Sequence, residues 1–369
     1  MRIVKVRSPF IIEISQSTQL GSKIELFIWR NGTSEPTTPT YVLSKPIPTT
    51  AQRQTYYNVS NLVKEYIDNI STTYANWLSG EANNDWVFFR VKRYWNNAGT
   101  YTLLDNIKYV GVNGFTEYMD GLQTTTDSRI KYLFNPAIKQ NYLKQDYPYA
   151  IDTIQHVDIM IENLHVNDNL RASYNRIDGT TYNYNIDFTG YTGIYSLTIP
   201  ISLAKLNSNF VNGCRVDLIY TPNGGSSTTQ SFYTYPICEP KYTPVLCDFV
   251  NRYGGWQTLT FYKAQTNNIT AKSDEYKLMS NDVNYNPLRG QSKSFNIKGS
   301  QSIKLNTGWV DENYKELIKD LLLSETVLLD KKPVSLKTQS SELKTKLKNR
   351  MINYEIDFDY NFNLINDVV

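Results

Sequence analysis

The residue types suited to metal binding come nearest to each other at His156, Asp158, Glu162 and His165. A zinc centre needs several nitrogen or sulfur ligands converging on one point, and this spacing offers no recognisable ligand pair. Ordinary packing or surface histidines are the expectation. Asp357-Phe-Asp359-Tyr-Asn361 resembles the opening of a calcium loop, yet Phe362 stands where that loop needs glycine for its sharp turn. An acidic strand face that touches a neighbouring subunit's lysines is expected there instead. Nucleophilic chemistry finds no Gly-Xaa-Ser-Xaa-Gly elbow, and Arg289-Gly290-Gln291-Ser292 is too short a fragment for a phosphate loop. Two acids converging in space could hydrolyse a glycoside, and Trp77, Trp86 and Trp95 could line a sugar groove. Tryptophans at such spacing more commonly fill cores and interfaces. The expectation is a chain without catalytic residues, cofactor, metal or small-molecule substrate.

One basic tract stands out. Lys331, Lys332 and Lys337 lead to Lys344, Lys346, Lys348 and Arg350. It reads as a solvated loop, as an arm docking on an acidic neighbour, or as a positive lip facing DNA. Glu342, Asp357 and Asp359 lie close by in sequence, which favours protein–protein complementarity over a nucleic-acid tract. The net charge of +3 over 369 residues is too mild to argue for nucleic-acid binding by itself.

The elements that must carry these residues read mainly as strands. The chain has 29 Tyr and 14 Phe against 2 His and 3 Cys. Tyrosine favours strands and joins a buried ring to a hydroxyl, so it suits sheets that meet other proteins. Cys214, Cys238 and Cys247 are odd in number and far apart, which suggests no disulfide framework and a reducing cytoplasm. Neither a secretory signal nor a membrane span is expected from the N-terminal sequence.

Residues 1–125 read as a β-rich domain with strands at 24–29, 40–43, 86–94, 100–105 and 108–112, and one helix capped by Ser60. Residues 126–150 read as a connector. A second β-sandwich-like domain is expected over 151–240, with a hairpin at Asn223-Gly224-Gly225. Residues 241–369 read as an α+β assembly domain. It holds a hairpin at 245–263, a helix opened by Asp311, and a strand over 353–362. In that last strand Tyr354, Ile356, Phe358, Tyr360 and Phe362 share one face, and Glu355, Asp357 and Asp359 share the other. The fold class is thus mainly β, two sandwich-like domains followed by a mixed one.

Several stretches resemble tail-assembly proteins of phages infecting Bacteroidetes, including crAss-like phages. They are Asp248-Phe-Val-Asn-Arg-Tyr-Gly-Gly-Trp-Gln-Thr-Leu-Thr-Phe-Tyr-Lys263, Met351-Ile-Asn-Tyr-Glu-Ile-Asp-Phe358 and Asn361-Phe-Asn-Leu-Ile-Asn-Asp-Val-Val369. Val59-Ser-Asn-Leu-Val-Lys-Glu-Tyr-Ile67 and Asn113-Gly-Phe-Thr-Glu-Tyr-Met-Asp-Gly121 add to them. The resemblance touches both ends and leaves the middle unmatched. These are turn and aromatic patterns, so no functional residues carry over.

The resemblance implies a virion protein of the tail, in a ring, barrel or hub below the portal. Its expected partners are copies of itself in a cyclic homo-oligomer, other tail or portal proteins, and DNA in passing. The alternative is a carbohydrate-contacting fibre or adhesin module of the same particle. The interface residues expected are Tyr354, Ile356, Phe358 and Tyr360 on the aromatic face, Lys344, Lys346 and Lys348 on the basic tract, and Trp256 in the hairpin.

Overall fold

The computed structural model describes residues 1–48, 53–69, 85–136, 155–162, 164–186, 196–201, 214–234, 242–278, 283, 286–338 and 351–365. Its strands open with β1 (Ile3–Lys5), β2 (Ile11–Ser15), β3 (Gly21–Arg30), β4 (Tyr41–Pro46) and β5 (Gln54–Asn58). Helix α1 (Ser60–Lys64) follows, then β6 (Trp86–Asn97), β7 (Thr100–Val112) and β8 (Ile130–Tyr132). Next come β9 (Gln155–Ile161), β10 (Asn169–Arg176), β11 (Thr181–Ile186), β12 (Ser196–Ile201), β13 (Cys214–Thr221) and β14 (Thr228–Thr234). The remainder holds β15 (Val245–Val250), β16 (Trp256–Phe261), β17 (Thr266–Lys277) and β18 (Ser292–Asp311). Helix α2 (Tyr314–Leu322) then precedes β19 (Val327–Leu329), β20 (Lys332–Leu336) and β21 (Met351–Tyr360). Strands make up 55% of the structure and helix 7%, so the protein is mainly β.

Two compact units emerge, each drawn from several stretches of the chain. The first comprises Met1–Glu239, Asp248–Leu259 and Asn313–Glu325; the second comprises Pro240–Cys247, Thr260–Glu312 and Thr326–Val369. The physical reason is chain interleaving: the β15–β16 hairpin and α2, both late in sequence, supply residues to the first unit.

The first unit contains a sheet of order β1-β7-β6-β3-β4, with β1 parallel to β7. Both faces of β3 and β6 are covered. Ile24, Leu26, Ile28, Val87 and Phe89 pack on one side with Ile12, Tyr57 and Val63. Phe27, Trp29, Trp86 and Phe88 pack on the other with Val112, Leu133 and Met160. Full burial of side chains of this size contributes about 1.5–3 kcal/mol each, so a sheet with two buried faces is a stiff centre. The 126–150 region, read as a connector, includes strand β8 and the buried residues Leu133 and Phe134. Residues 137–150 lie outside the described ones.

A second sheet of the same unit runs β11-β10-β13-β14, all antiparallel. Its inner face, including Leu170, Tyr174, Val216, Leu218 and Phe232, shares a core with Ile130, Phe134, Val157, Ile159 and Ile161. Strand β9 therefore serves two cores, since its Met160 points to the opposite side. The Asn251–Gly255 turn is tied down by its own side chains. Buried Asn251 donates through Nδ2 to Leu133 O at 2.8 Å and accepts at Oδ1 from the Tyr253 N–H at 2.8 Å. Gly255 is required there because a Cβ would sit 2.2 Å from Leu133 O.

Both helices start differently from expectation. The Asn58 side chain, not Ser60, organises the first, accepting from the Ser60 N–H at 3.2 Å and the Ser60 hydroxyl at 2.7 Å. Asp311 ends β18, and the second helix begins at Tyr314 with Asn313 before it. Tyr314, Leu317, Ile318 and Leu321 are its buried stripe.

The second unit orders its strands β19-β20-β21-β18-β17. Strand β21 is interior, antiparallel to β20 on one side and β18 on the other. Among the described residues, strand β17 pairs only with β18 and forms the edge. Among the described residues, no helix is long and apolar enough to cross a membrane.

Candidate assembly interface

The β17–β18 hairpin is built unlike the rest of the protein. All twelve residues of β17 are exposed, without the alternation that a sheet face on a core imposes. In β18, Ser292–Lys298 are exposed as well, and burial begins where β21 comes alongside. The register explains this. Strand β21 pairs with β18 only from Ser302 to Asp311, whereas β17 pairs with β18 from Ser292 onward. Beyond Gly299 the hairpin is therefore a two-stranded ribbon with solvent on both faces. At about 3.4 Å per residue, it extends roughly 24 Å past Gly299.

Such a ribbon is marginal in water when nothing covers it, and its surface is not purely polar. Tyr276 and Phe295 stack edge-to-face at 5.5 Å on one side, each 44% exposed. Ile269 and Ile297 are 69% and 52% exposed. Near the tip, Asn286 accepts from the Leu288 N–H at 2.9 Å and sets a short 3₁₀ turn, which presents Leu288 at 94% exposure. A register shift between Lys272 and Asp274 faces Asn296, whose φ of 48° is left-handed. Bulges of this kind add twist, and with Lys272, Lys277, Lys293 and Lys298 they hinder indiscriminate pairing of an open edge. The ribbon thus combines an apolar docking surface with devices that keep it soluble.

The sequence-expected interface residues fall elsewhere. Tyr354, Ile356 and Phe358 are 2%, 0% and 0% exposed. Phe358 lies opposite Ile303 and meets Phe261 edge-to-face at 6.0 Å, while Ile356 lies opposite Leu305. Tyr360 is half-buried and lies against Val334. The aromatic face of β21 is the chain's own core, with Phe261 packed on Phe358 and Ile303 and Leu305 buried beside it. Alternation in a sequence reports that a face will be covered, not by which chain.

The acidic face is also satisfied internally. Lys304 Nζ lies 2.8 Å from Glu355, and Lys337 Nζ lies 3.8 Å from Asp359. The Lys304 pair lowers the Glu355 carboxyl and raises the Lys304 ammonium. Trp256 is 4% exposed in the first unit, where its backbone N–H donates to Asp158 Oδ2 at 2.5 Å. Lys344, Lys346 and Lys348 lie outside the described residues.

Chemistry-bearing groups do gather inside the first unit. Asp85 and Asp158 are each 7% exposed. Burial, then the charge of Asp158, pushes the Asp85 carboxyl up to about 7, so that it holds a proton near neutrality. Neither lines either of the two cavities described in this unit. Asp320, also buried, accepts from Asn135 Nδ2 at 2.9 Å and is raised to about 6. These are packed, hydrogen-bonded carboxyls. Among the described residues, no three His, Cys, Asp or Glu side chains are grouped to hold a metal ion. Cys214 and Cys247 are both buried thiols.

No family model matches this chain, and no curated protein is similar to it. Among solved structures it is similar to one described as a Ca2+-stabilized adhesin that helps an Antarctic bacterium reach out and bind ice. The identity is 8%, over 96% of this chain and 86% of that one, with a TM-score of 0.16. A superposition at that score carries no argument about fold or function.

The ribbon was missed because β17 and the first half of β18 lack the alternation by which strands are found. Its sequence signal is the opposite one: isolated apolar residues among Thr, Asn, Ser and Lys, with no polar–apolar period.

Proposed function

We propose that this chain is a structural protein of a phage tail, a ring, barrel or hub component that works as a cyclic homo-oligomer below the portal. The observation that carries the assembly part is the exposed ribbon of β17 and β18, which offers apolar side chains and an open backbone edge. The phage-tail part rests on the sequence resemblance of the Asp248–Lys263 and Met351–Phe358 stretches. A ring whose subunits are related by rotation needs each copy to present one surface to a different surface of the next. A projecting ribbon suits that geometry, since main-chain hydrogen bonds supply affinity and side chains supply register. The stiff double-faced sheet of the first unit would give such a ring rigidity.

Quantitative mass spectrometry of gradient-purified virions tests the proposal by counting copies of this chain per portal. About six or twelve copies are expected of a cyclic tail component. A count fitting several trimers, or absence from the particle, would overturn it. Replacing residues 271–299 by a tight turn is expected to leave a folded chain that no longer enters particles.

A further inference from the structure

A cavity of about 330 Å³ in the first unit lies between β1 and the segment 116–126, with Lys131, Leu133 and Tyr253 completing its wall. Two lysines line it without a carboxylate partner among the described residues. Lys5 Nζ donates to the Phe115 carbonyl at 3.3 Å and lies 4.8 Å from the Tyr253 ring centre. Lys131 Nζ donates to Thr126 Oγ1 at 3.2 Å. The one carboxylate on the wall, Asp120, is already engaged by Arg252 at 3.2 Å, and Arg252 also reaches Glu117 at 3.1 Å. The cavity therefore has positive charge to spare.

Its walls are fixed rather than collapsible. Gln123 accepts from the Lys5 N–H at 2.9 Å and donates to the carbonyls of Lys5, Ser8 and Pro9 at 3.0–3.1 Å. That clamp holds the loop against β1 and keeps the space open. The same loop carries large apolar residues into solvent: Tyr118 is 96% exposed, Met119 89% and Leu122 66%, and Leu122 also lines the cavity.

We infer that this cavity is a docking site for an acidic, apolar-flanked segment of a partner protein, whose Asp or Glu carboxylate sits at Lys5 and Lys131 while its apolar neighbours cover Leu122. Charge complementarity selects the carboxylate, and the exposed apolar rim selects a peptide over a free anion. The volume is at the small end for a pocket that encloses a whole ligand, but it accommodates a side chain. A half-buried ammonium that has no carboxylate in contact, and that feels the charges of Asp120 and Asp320 only from a distance, gains from such a partner. Burial, with help from Arg252, lowers the Lys5 ammonium to about 8, which also makes it the faster-reacting amine.

The test is competitive acetylation of the purified chain with acetic anhydride at pH 7.5, read at Lys5 by mass spectrometry with exposed Lys272 as internal reference. The probes are an end-blocked Leu-Glu-Glu-Leu peptide, its Leu-Gln-Gln-Leu analogue and inorganic phosphate. The expected result is saturable protection of Lys5, at least fivefold, by the acidic peptide alone. Leu122→Asp, at an exposed position that leaves the fold intact, should weaken that protection at least fivefold. Equal labelling of Lys5 with and without the acidic peptide would overturn the inference. So would protection by phosphate that matches or exceeds that of the peptide, because the site would then be one for free anions. The experiment uses no virion and stands or falls apart from the tail proposal.

Discussion

Strand β21 and the β17–β18 ribbon belong to the same unit, and β18 touches both, yet they have opposite fates. β21 is flanked on both edges, its aromatic face is sealed against Phe261, Ile303 and Leu305, and its Glu355 and Asp359 find Lys304 on β18 and Lys337 just past β20. The ribbon has solvent on both faces and leaves Tyr276, Phe295 and Leu288 uncovered. Both stretches carry aromatic residues, Tyr354, Phe358 and Tyr360 in one and Tyr276 and Phe295 in the other. What separates them is pairing: a strand with neighbours on two sides becomes core, and one that outruns its neighbours becomes surface. Aromatic content by itself says nothing about which.

The sharpest way to break this contrast is to place a charge in each region. Phe358→Asp buries an unpaired carboxylate in a fully covered site and is expected to destabilise the chain by about 4 kcal/mol or more in urea unfolding. Phe295→Asp should change stability by about 0.5 kcal/mol or less, as expected of an exposed position. If the two substitutions had equal cost, the distinction between core and ribbon would be wrong.

Charge itself divides in the same manner. The Asp85 carboxyl is buried and raised to about 7, whereas Glu355 is exposed and lowered by Lys304. Between the ordinary 3.8 and about 7 the folded chain keeps the Asp85 proton that the unfolded chain has lost. Stability therefore falls as pH rises through that window and levels off above about 7, by up to roughly 4 kcal/mol. Asp85→Asn should flatten this slope in denaturation curves taken from pH 4 to 8, and Glu355→Gln should leave it in place. A slope unchanged by Asp85→Asn would show that the proton resides elsewhere.

Glycine extends the contrast to the backbone. Gly255→Ala would place a methyl 2.2 Å from Leu133 O, with an expected loss of about 1–3 kcal/mol in thermal or urea unfolding. Gly290 sits at the ribbon's tip with φ of 68° and only Ser292 O near its Cβ position, at 3.8 Å. Gly290→Ala meets backbone strain without a clash, and about 1 kcal/mol is expected. The ordering of the two costs tests whether packing or conformation dominates at each site.

Much of the strand inventory was legible in the sequence, because β3, β6, β13, β16 and β21 carry strong apolar periods or β-branched runs. The Asn251–Gly255 hairpin was legible for a second reason, as only glycine fits where its turn meets Leu133 O. The candidate interface was not legible. Tyr354, Ile356 and Phe358 signalled a face needing cover, and the sequence holds no mark of whether that cover is intramolecular. The ribbon and the Lys5 cavity arise from register and from contacts across more than a hundred residues, such as Gln123 to Lys5. Local patterns carry no trace of the cavity and mark the ribbon only by isolated apolar residues.

The interleaving of the two units has a consequence on the ribosome. Lys64 forms its ion pair with Glu325 at 2.7 Å, and Arg7 meets the same carboxylate at 3.2 Å, although 261 residues separate Lys64 from Glu325. Asn135 likewise waits for Asp320. At roughly 5–20 residues per second of synthesis, the N-terminal sheet stands exposed for roughly 10–50 s before its last elements emerge. Nascent chains would thus have to hold two part-built cores at once, and translation speed, more than final stability, would set how many of them aggregate.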